Sequence, residues 1–215
     1  MKHSTFFLVA VGLLLASSGC FADSREDLRA AVLAGEASEV KALVEAGADV
    51  NARYGSDYTA LMWAASDGDM EKVMILLEAG AGVDDKASCG RTALRFAAER
   101  NRSKVVQYLL DSGADINSAD LMGATALMSC IRNNQAAMAR FLIESGADLN
   151  AKDNNGMTAL VLAVVIKSAA RVKMLIDAGA DINAGRIGGK TALKYAEQAG
   201  DENIIALLTK ASAKN

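Results

Sequence analysis

The sequence is poor in the residue types on which many catalytic and metal sites depend. It contains one histidine, His3, three cysteines and no proline. His3 lies in an N-terminal segment that we interpret as a cleaved signal peptide, so the mature chain would contain no histidine. Without histidine a chain cannot form a Ser-His-Asp triad, a Cys-His pair or a His-ligated metal site. We therefore expect no enzymatic activity and no cofactor.

The cysteines give no indication of catalysis either. Cys89 falls in a predicted turn and Cys130 at a small-residue position of a predicted helix. These places lie in different layers of the predicted structure, so we expect no disulfide between the two residues. We interpret Cys130 as a small, buried apolar residue.

Long hydrophobic runs are missing beyond the N-terminus. Lys2 is followed by an apolar run over residues 6–16 and then by small residues up to Ala22, the pattern of a secretory signal peptide over residues 1–22. The run of 11 residues is shorter than the roughly 20 that cross a bilayer. We predict cleavage after Ala22 and a periplasmic or secreted chain without a membrane span. Alternatively, Cys20 ends a stretch resembling a bacterial lipobox and carries a lipid anchor, although Ser17 replaces the usual aliphatic residue.

An excess of positive charge is also absent. The formal net charge is −3, and removing residues 1–22 takes away one lysine and no acid, which gives −4. An acidic chain offers no broad basic surface to phosphate backbones. We therefore expect no nucleic-acid partner.

The sequence is rich in internal repeats. EAGADVN at 45–51 returns as DSGADIN, ESGADLN and DAGADIN, and in altered form as EAGAGVD, always 33 residues after the previous copy. The tripeptide TAL recurs with the same period from Thr59 to Thr191. A fixed period in this range is typical of a solenoid.

Each repeat reads as two short helices followed by a hairpin-like loop. Thr59 is suited to cap the first helix, which Gly68 ends, and Gly80 ends the second, whose Lys72 we expect to face water. The sequence therefore predicts an all-α repeat solenoid with polar terminal caps. Its repeats are 23–53, 54–86, 87–119, 120–152, 153–184 and 185–215.

The repeats resemble those of the ankyrin family. Matching segments include GRTALRFAA at 90–98 with YLLDSGADIN at 108–117, and the likeness extends over 23–215. Two positions depart from the family: its proline is alanine throughout, and its histidine is replaced, for example by Arg95. The resemblance implies helix-turn-helix units joined by β-hairpin loops, and we expect the array to be a monomer. It also implies a protein partner bound on the concave face formed by hairpin tips and first helices.

Carrying the family's concave positions onto this sequence gives a strip of changing character. Its N-terminal half is aromatic and charged, and its C-terminal half is apolar where a solvated tip would be polar, which indicates an interface. We interpret Trp63, by contrast, as a core residue. The predicted partner-binding residues are Arg53, Tyr58, Asp67, Arg91, Arg100, Leu121, Met122, Met157, Val165, Ile166 and Ile187.

One further motif has an alternative interpretation. Residues 184–191, AGRIGGKT, satisfy a relaxed phosphate-loop pattern that would make Lys190 a phosphate ligand. A phosphate loop requires a strand before it and a parallel sheet around it, and the repeat register provides neither. We therefore expect no nucleotide binding.

The sequence favours a non-catalytic protein-interaction module of the bacterial cell envelope. The alternatives are an inhibitor or immunity protein that neutralises one exported enzyme or toxin, and an envelope stress-protection factor.

Overall fold

The protein is a stack of helix pairs. The computed structural model describes residues 24–184 and 190–213, so the predicted signal peptide and Ile187 lie outside the described residues. One helix pair falls within each predicted repeat. The helices are α1 (Ser24–Ala34), α2 (Ala37–Glu45), α3 (Ala60–Asp67), α4 (Met70–Glu78), α5 (Ala93–Glu99), α6 (Ser103–Asp111), α7 (Ala126–Arg132), α8 (Ala136–Glu144), α9 (Ala159–Val165), α10 (Ala169–Asp177), α11 (Ala192–Ala199) and α12 (Glu202–Ser212).

The predicted all-α solenoid is confirmed. No strand occurs in the described ranges, where the loops between pairs are tight reversals. Tyr54 and Tyr58 form an isolated antiparallel bridge in the first of these loops. The N–H of Ala87, Asp120 and Asp153 donates to the carbonyl four residues later, at 3.0 Å. The loops are therefore hairpin-like turns held by very few ladder hydrogen bonds.

The first helix of each repeat begins at the threonine of the TAL motif. The side-chain oxygen of Thr59 accepts from the backbone N–H of Met62 at 3.4 Å, and the four later threonines do the same at 3.3–3.4 Å. This satisfies one of the free N–H groups at the start of each helix. The TAL motif recurs because its threonine caps the first helix in each of these five repeats.

From the second repeat to the sixth, the first helix is followed by a residue in the left-handed conformation. Gly68 and Gly200 have φ of 81° and 65°, where glycine carries no steric cost. At the same position in other repeats stand Asn101, Asn134 and Lys167, with φ of 58°, 64° and 55°. Asparagine tolerates this conformation moderately well, whereas lysine does so poorly. Lys167 therefore carries local backbone strain.

The core runs through the whole stack as two columns of buried leucines. One column comes from first helices and the other from second helices, and their side chains are at most 1% exposed. Between neighbouring first helices, small residues such as Ala64, Ala97 and Cys130 allow close approach. No repeat could bury these faces alone, so each depends on its neighbours. The columns are Leu28, Leu61, Leu94, Leu127 and Leu160, and Leu76, Leu109, Leu142, Leu175 and Leu208.

A hydrogen-bond ladder explains why the GAD-x-N motif recurs. Asn117 Oδ1 accepts the backbone N–H of Asp148, one repeat later, at 2.8 Å. Asn150 does the same for Asp181 at 2.8 Å, and the altered copy keeps the link because Asp84 Oδ1 accepts from Asp115 at 2.9 Å. We refer to this series as the Asx ladder. Each copy of the motif thereby fixes the position of the next.

One expected surface residue is buried. Lys72 is 7% exposed, contrary to the expectation that it faces water. Its Nζ donates to the carbonyl of Val32 in the preceding repeat at 3.0 Å and lies 3.2 Å from a carboxylate oxygen of Asp69. A lysine stem packs against apolar surface while its charged end reaches a distant acceptor. The helical pattern alone could not reveal that acceptor.

Candidate protein-binding surface

The hairpin tips form a row along one side of the stack. The N–H of Ser88 donates to the carbonyl of Ser56 at 2.9 Å, that of Leu121 to Cys89 at 3.2 Å, and that of Asn154 to Met122 at 2.9 Å. Each tip is therefore hydrogen-bonded to the tip before it. This row places the predicted partner-binding residues of successive loops side by side.

The tips of the fourth and fifth repeats have a preorganised backbone. Asp120 Oδ1 accepts from the N–H groups of Met122 and Ala124 at 2.8 and 2.9 Å. Asp153 makes the same pair of bonds in the next loop. Such bonds fix the loop from inside and leave the intervening side chains pointing outward. The apolar side chains presented there are held in place by the turn itself.

Leu121 and Met122 form an exposed pair that we call the apolar tip. They are 68% and 62% exposed, the highest values among the large hydrophobic residues described. Met157 is half-buried against the core, contrary to the expectation that its side chain is exposed at a tip. The structure therefore brings together two of the predicted apolar residues at the tip.

Val165 and Ile166 are exposed at a separate place. They stand at the C-terminal end of α9, where they are 48% and 36% exposed. The seven residues of α9 separate them from the hairpin end by about 10 Å, at roughly 1.5 Å per residue. The apolar tip and the α9 end are thus two patches on the hairpin and first-helix side.

The N-terminal half of the strip contains a cluster of aromatic rings. Tyr58 and Trp63 are stacked, with centroids 6.0 Å apart and an interplanar angle of 3°. Phe96 lies 5.3 Å from Tyr58, and the guanidinium of Arg29 lies 5.8 Å from the Trp63 ring. Trp63 packs against the core but remains partly exposed, so its predicted role as a core residue describes only one side of the ring.

These rings belong to an open depression of about 380 Å³ between α3 and α5. Its wall combines aromatic and arginine side chains, which are enriched at interface centres, with one serine. We call it the aromatic groove. It is lined by Tyr58, Trp63, Phe96, Ser66, Arg91 and Arg100, with Met62 and Glu99 beneath.

A buried ion-pair network supports one wall of the groove. Arg95, at the position of the family's histidine, is 3% exposed. Its guanidinium lies 3.0 Å from Glu99 and 2.9 Å from Asp120, and it also donates to the carbonyl of Ala124. Arg91 pairs with the same Glu99 at 3.2 Å. The network joins the groove to the base of the next hairpin.

The network changes the titration of its aspartate. Burial by itself would raise the pKa of the Asp120 carboxyl. The N–H of Ala124, the charge of Arg95 and the N–H of Met122 act in the opposite direction and outweigh it, so the pKa is lowered from its usual value. Asp120 is therefore held as a carboxylate.

The other predicted charged residues divide into two kinds. Arg53 is occupied within the array, since its guanidinium lies 3.0 Å from Asp85 and donates to the carbonyl of Lys86 at 2.9 Å. Asp67 and Arg100 are exposed and make no ion pair or side-chain hydrogen bond within the described ranges. Arg53 is thus a link between neighbouring repeats, while Arg100 is available to a ligand.

Comparison with known families agrees with this geometry. A family model described as "Ankyrin repeats (3 copies)" matches residues 28–120 and 151–215, and one described as "Ankyrin repeat" matches residues 122–154. The chain belongs to the ankyrin repeat family. A comparison with curated proteins finds no match. Ankyrin repeats are in general protein–protein interaction modules, which makes the face of this ankyrin array the place to look for binding.

The residues described include no cluster of histidine, cysteine and acidic side chains that could hold a metal ion, and no helix long and apolar enough to cross a membrane. Cys89 and Cys130 are both free thiols. Most of the phosphate-loop pattern lies outside the described residues, and Lys190 lies 5.9 Å from the ring of Tyr195.

Sequence reasoning missed two parts of the surface. From the sequence alone Arg95 is only a substitution at the family's histidine position, because its partner Asp120 lies 25 residues away. The sequence places Trp63 in the core because it shares the repeat position of Phe96, Leu162 and Tyr195, of which Phe96 and Tyr195 are themselves only partly buried. The close spacing of Tyr54, Tyr58 and Trp63 is the sequence feature that indicates the aromatic cluster, because aromatic residues near one hairpin can contact each other on the same face.

Proposed function

We propose that this ankyrin array is a non-catalytic binding protein of the bacterial cell envelope, and that it holds one protein partner on its hairpin and first-helix face. The observation that carries the proposal is the aromatic groove, where three half-buried rings stand beside the exposed Arg100. Tyrosine, tryptophan and arginine are enriched among residues that dominate binding energy. The apolar tip, on the same row of loops, adds a second contact area.

Envelope location is supported by the sequence of the first residues. The charged start, the short apolar run and the small residues before Ala22 have the pattern of an export signal. Intact-mass measurement of the protein purified from cells tests this part of the proposal. A mass beginning at Asp23 is expected, whereas a diacylated Cys20 at the N-terminus supports the lipoprotein alternative.

The binding function is tested by comparing matched variants. We expect that envelope extract passed over the immobilised protein yields a partner whose retention is reduced at least tenfold by Tyr58→Ala combined with Arg100→Ala. The control is Lys104→Ala combined with Arg140→Ala, which removes two exposed charges from second helices on the other side of each repeat. Retention by the control should equal that of the unchanged protein.

Two results would contradict the proposal. Equal loss in both double variants means that binding is not confined to the hairpin and first-helix face. Retention that no face variant alters, including Leu121→Ser combined with Met122→Ser, means that the partner binds elsewhere.

A further inference from the structure

We infer that the aromatic groove binds an acidic segment of the partner, with one aromatic or large apolar side chain of that segment seated against Tyr58, Trp63 and Phe96. The inference rests on the proposed function and specifies what the groove recognises. Three features of the groove carry it: its apolar surface, its unmatched donors and its charge relative to the rest of the protein.

The apolar surface of the groove comes from three aromatic rings that are partly buried and partly exposed to solvent. Tyr58, Trp63 and Phe96 each pack on the core with one side and keep the other side partly exposed. The contacts between them, 6.0 Å and 5.3 Å from centroid to centroid, hold the rings in fixed relative positions. A partner ring or apolar side chain can therefore bury area against them with little loss of side-chain entropy.

The polar groups without partners in the groove are mainly donors. Within the described residues, no hydrogen bond is made by the Tyr58 hydroxyl, the Trp63 indole N–H, the Ser66 hydroxyl or the Arg100 guanidinium. An indole N–H and a guanidinium can only donate. These donors favour an acceptor-rich ligand.

The acceptor in the groove is already occupied. Glu99, its carboxylate, is engaged at 3.0 Å by Arg95 and at 3.2 Å by Arg91. A ligand that brings further donors would have to displace these arginines. A ligand that brings carboxylates would find Arg100 open and could share Arg91 in charge-assisted hydrogen bonds.

The charge of the groove also differs from that of the whole chain. The protein has a formal net charge of −3, yet the groove lining contains Arg91 and Arg100 against a single paired carboxylate. Arg29 lies 5.8 Å from the centre of the Trp63 ring, but it pairs with Glu26 at 2.9 Å and so adds no net charge. The excess of arginine over carboxylate in the groove therefore favours an acidic ligand there, although the chain as a whole is acidic.

The test uses the only tryptophan of the chain, Trp63, as a built-in reporter. The probe is the capped peptide acetyl-Asp-Glu-Phe-Glu-Asp-amide, titrated into the full protein while tryptophan emission is recorded. We expect a saturable change with Kd of about 0.1–1 mM, the range of a ligand that makes only a few contacts. Added salt should weaken it, because ion pairs at an exposed groove are screened.

Two comparison peptides separate the components of recognition. Replacing the four acidic residues by lysine should abolish the change, and replacing the phenylalanine by alanine should weaken binding by about tenfold. In the protein, Arg100→Gln should weaken binding by about tenfold, since a charge-assisted hydrogen bond is lost. Arg140→Gln, an exposed arginine on α8, is the matched control and should have no effect.

The outcomes distinguish this inference from the proposed function. The inference is wrong if the acidic peptide gives no saturable change, if the lysine peptide binds equally well, or if Arg100→Gln binds normally. In each of these cases partner retention that depends on the face still supports the proposed function. Peptide binding that behaves as expected, together with partner retention unaffected by face variants, would overturn the proposed function and leave the groove as an acidic-segment site.

Discussion

At the residue scale, Asp120 has the most demanding position in the array. One carboxylate oxygen accepts two backbone N–H groups of its own loop, and the other lies 2.9 Å from the buried guanidinium of Arg95. A single side chain therefore shapes the turn that presents the apolar tip and neutralises a charge beneath the groove. Because the ion pair with Arg95 requires the ionised carboxylate, the stability of the loop depends on pH.

We expect Asp120→Asn to lower the free energy of unfolding by about 1–3 kcal/mol at neutral pH, because the ion pair with Arg95 is lost and the backbone N–H groups bond to a neutral oxygen. Since the folded-state pKa of Asp120 is lowered, its contribution is fully present above the ordinary aspartate pKa, about 3.9. It disappears as the pH falls through the lower, folded-state pKa. The measurement is urea unfolding of both proteins at a series of pH values.

The control for this experiment is Asp177→Asn, which removes an exposed carboxylate paired with Lys173 at 2.6 Å. Exposed pairs contribute little, so this variant should change stability by less than about 1 kcal/mol. A difference between Asp120→Asn and the unchanged protein that stays constant down to the lowest pH would show that ionisation of Asp120 does not matter.

The two described cysteines should differ in reactivity. Cys130 is fully buried, and burial, with a smaller contribution from the charge of Glu99, raises the pKa of its thiol to about 12. Because the thiolate is the reactive form, Cys130 should not react with a thiol reagent at about pH 8 in the folded protein. Cys89, half-exposed on a hairpin tip, should react. Mass spectrometry of the labelled peptides, with urea-unfolded protein as control, decides between one and two modified sites.

At the element scale, the helix boundaries follow directly from short-range chemistry. A threonine that caps and a glycine or asparagine that turns left-handed act within a few residues, so the sequence shows where most first helices begin and end. Lys72 and Arg95 could not be placed in the same way. Their acceptors, the carbonyl of Val32 and the carboxylate of Asp120, lie 40 and 25 residues away along the chain.

Among the first helices of the repeats, α9 is followed by the residue least suited to the left-handed conformation. Lys167 has φ of 55°, a conformation that an ordinary side chain adopts at a cost. We expect Lys167→Gly to raise the free energy of unfolding by about 0.5–1 kcal/mol, because the strain exceeds the entropy that glycine adds to the unfolded chain. Urea unfolding measures the change.

Asn134→Gly is the matched variant for this prediction, since it changes the same position of the preceding repeat, where φ is 64°. Asparagine tolerates that conformation better, so its replacement should gain less than the replacement of lysine. If both variants are equally stabilised, or if Lys167→Gly is destabilised, the strain at Lys167 is not significant.

At the scale of the whole molecule, stacking and recognition use different residues. The stack is held by the two leucine columns and the Asx ladder, all of which recur with the repeat. The groove and the apolar tip depend on residues that occur in one repeat each, such as Trp63 and Met122. The sequence therefore predicts the array well, whereas which side chains share a patch depends on helix length and loop direction, as with Val165 and Leu121.

Because of this separation, the apolar tip can be changed without unfolding the protein. Leu121→Ser combined with Met122→Ser should alter the free energy of unfolding by less than about 0.5 kcal/mol, as expected for exposed positions. Retention of the partner from envelope extract should fall at least tenfold if the tip is a central contact. A large loss of stability with normal retention would instead assign these side chains to the packing of the loops.

The Asx ladder has a consequence for how such a protein can change its length. Asn117 accepts from Asp148 and Asn150 from Asp181, so the donor and the acceptor are of the same kind at these two joints. Excision of residues 120–152 would bring Asn117 next to Asp181 and Arg95 next to Asp153. Asp153 occupies the same position in its repeat as Asp120 and forms the same turn. A cut whose length is not a multiple of the 33-residue period would leave unlike groups facing each other. The fourth repeat could therefore be lost by recombination while the hydrogen bonds between its neighbours are preserved.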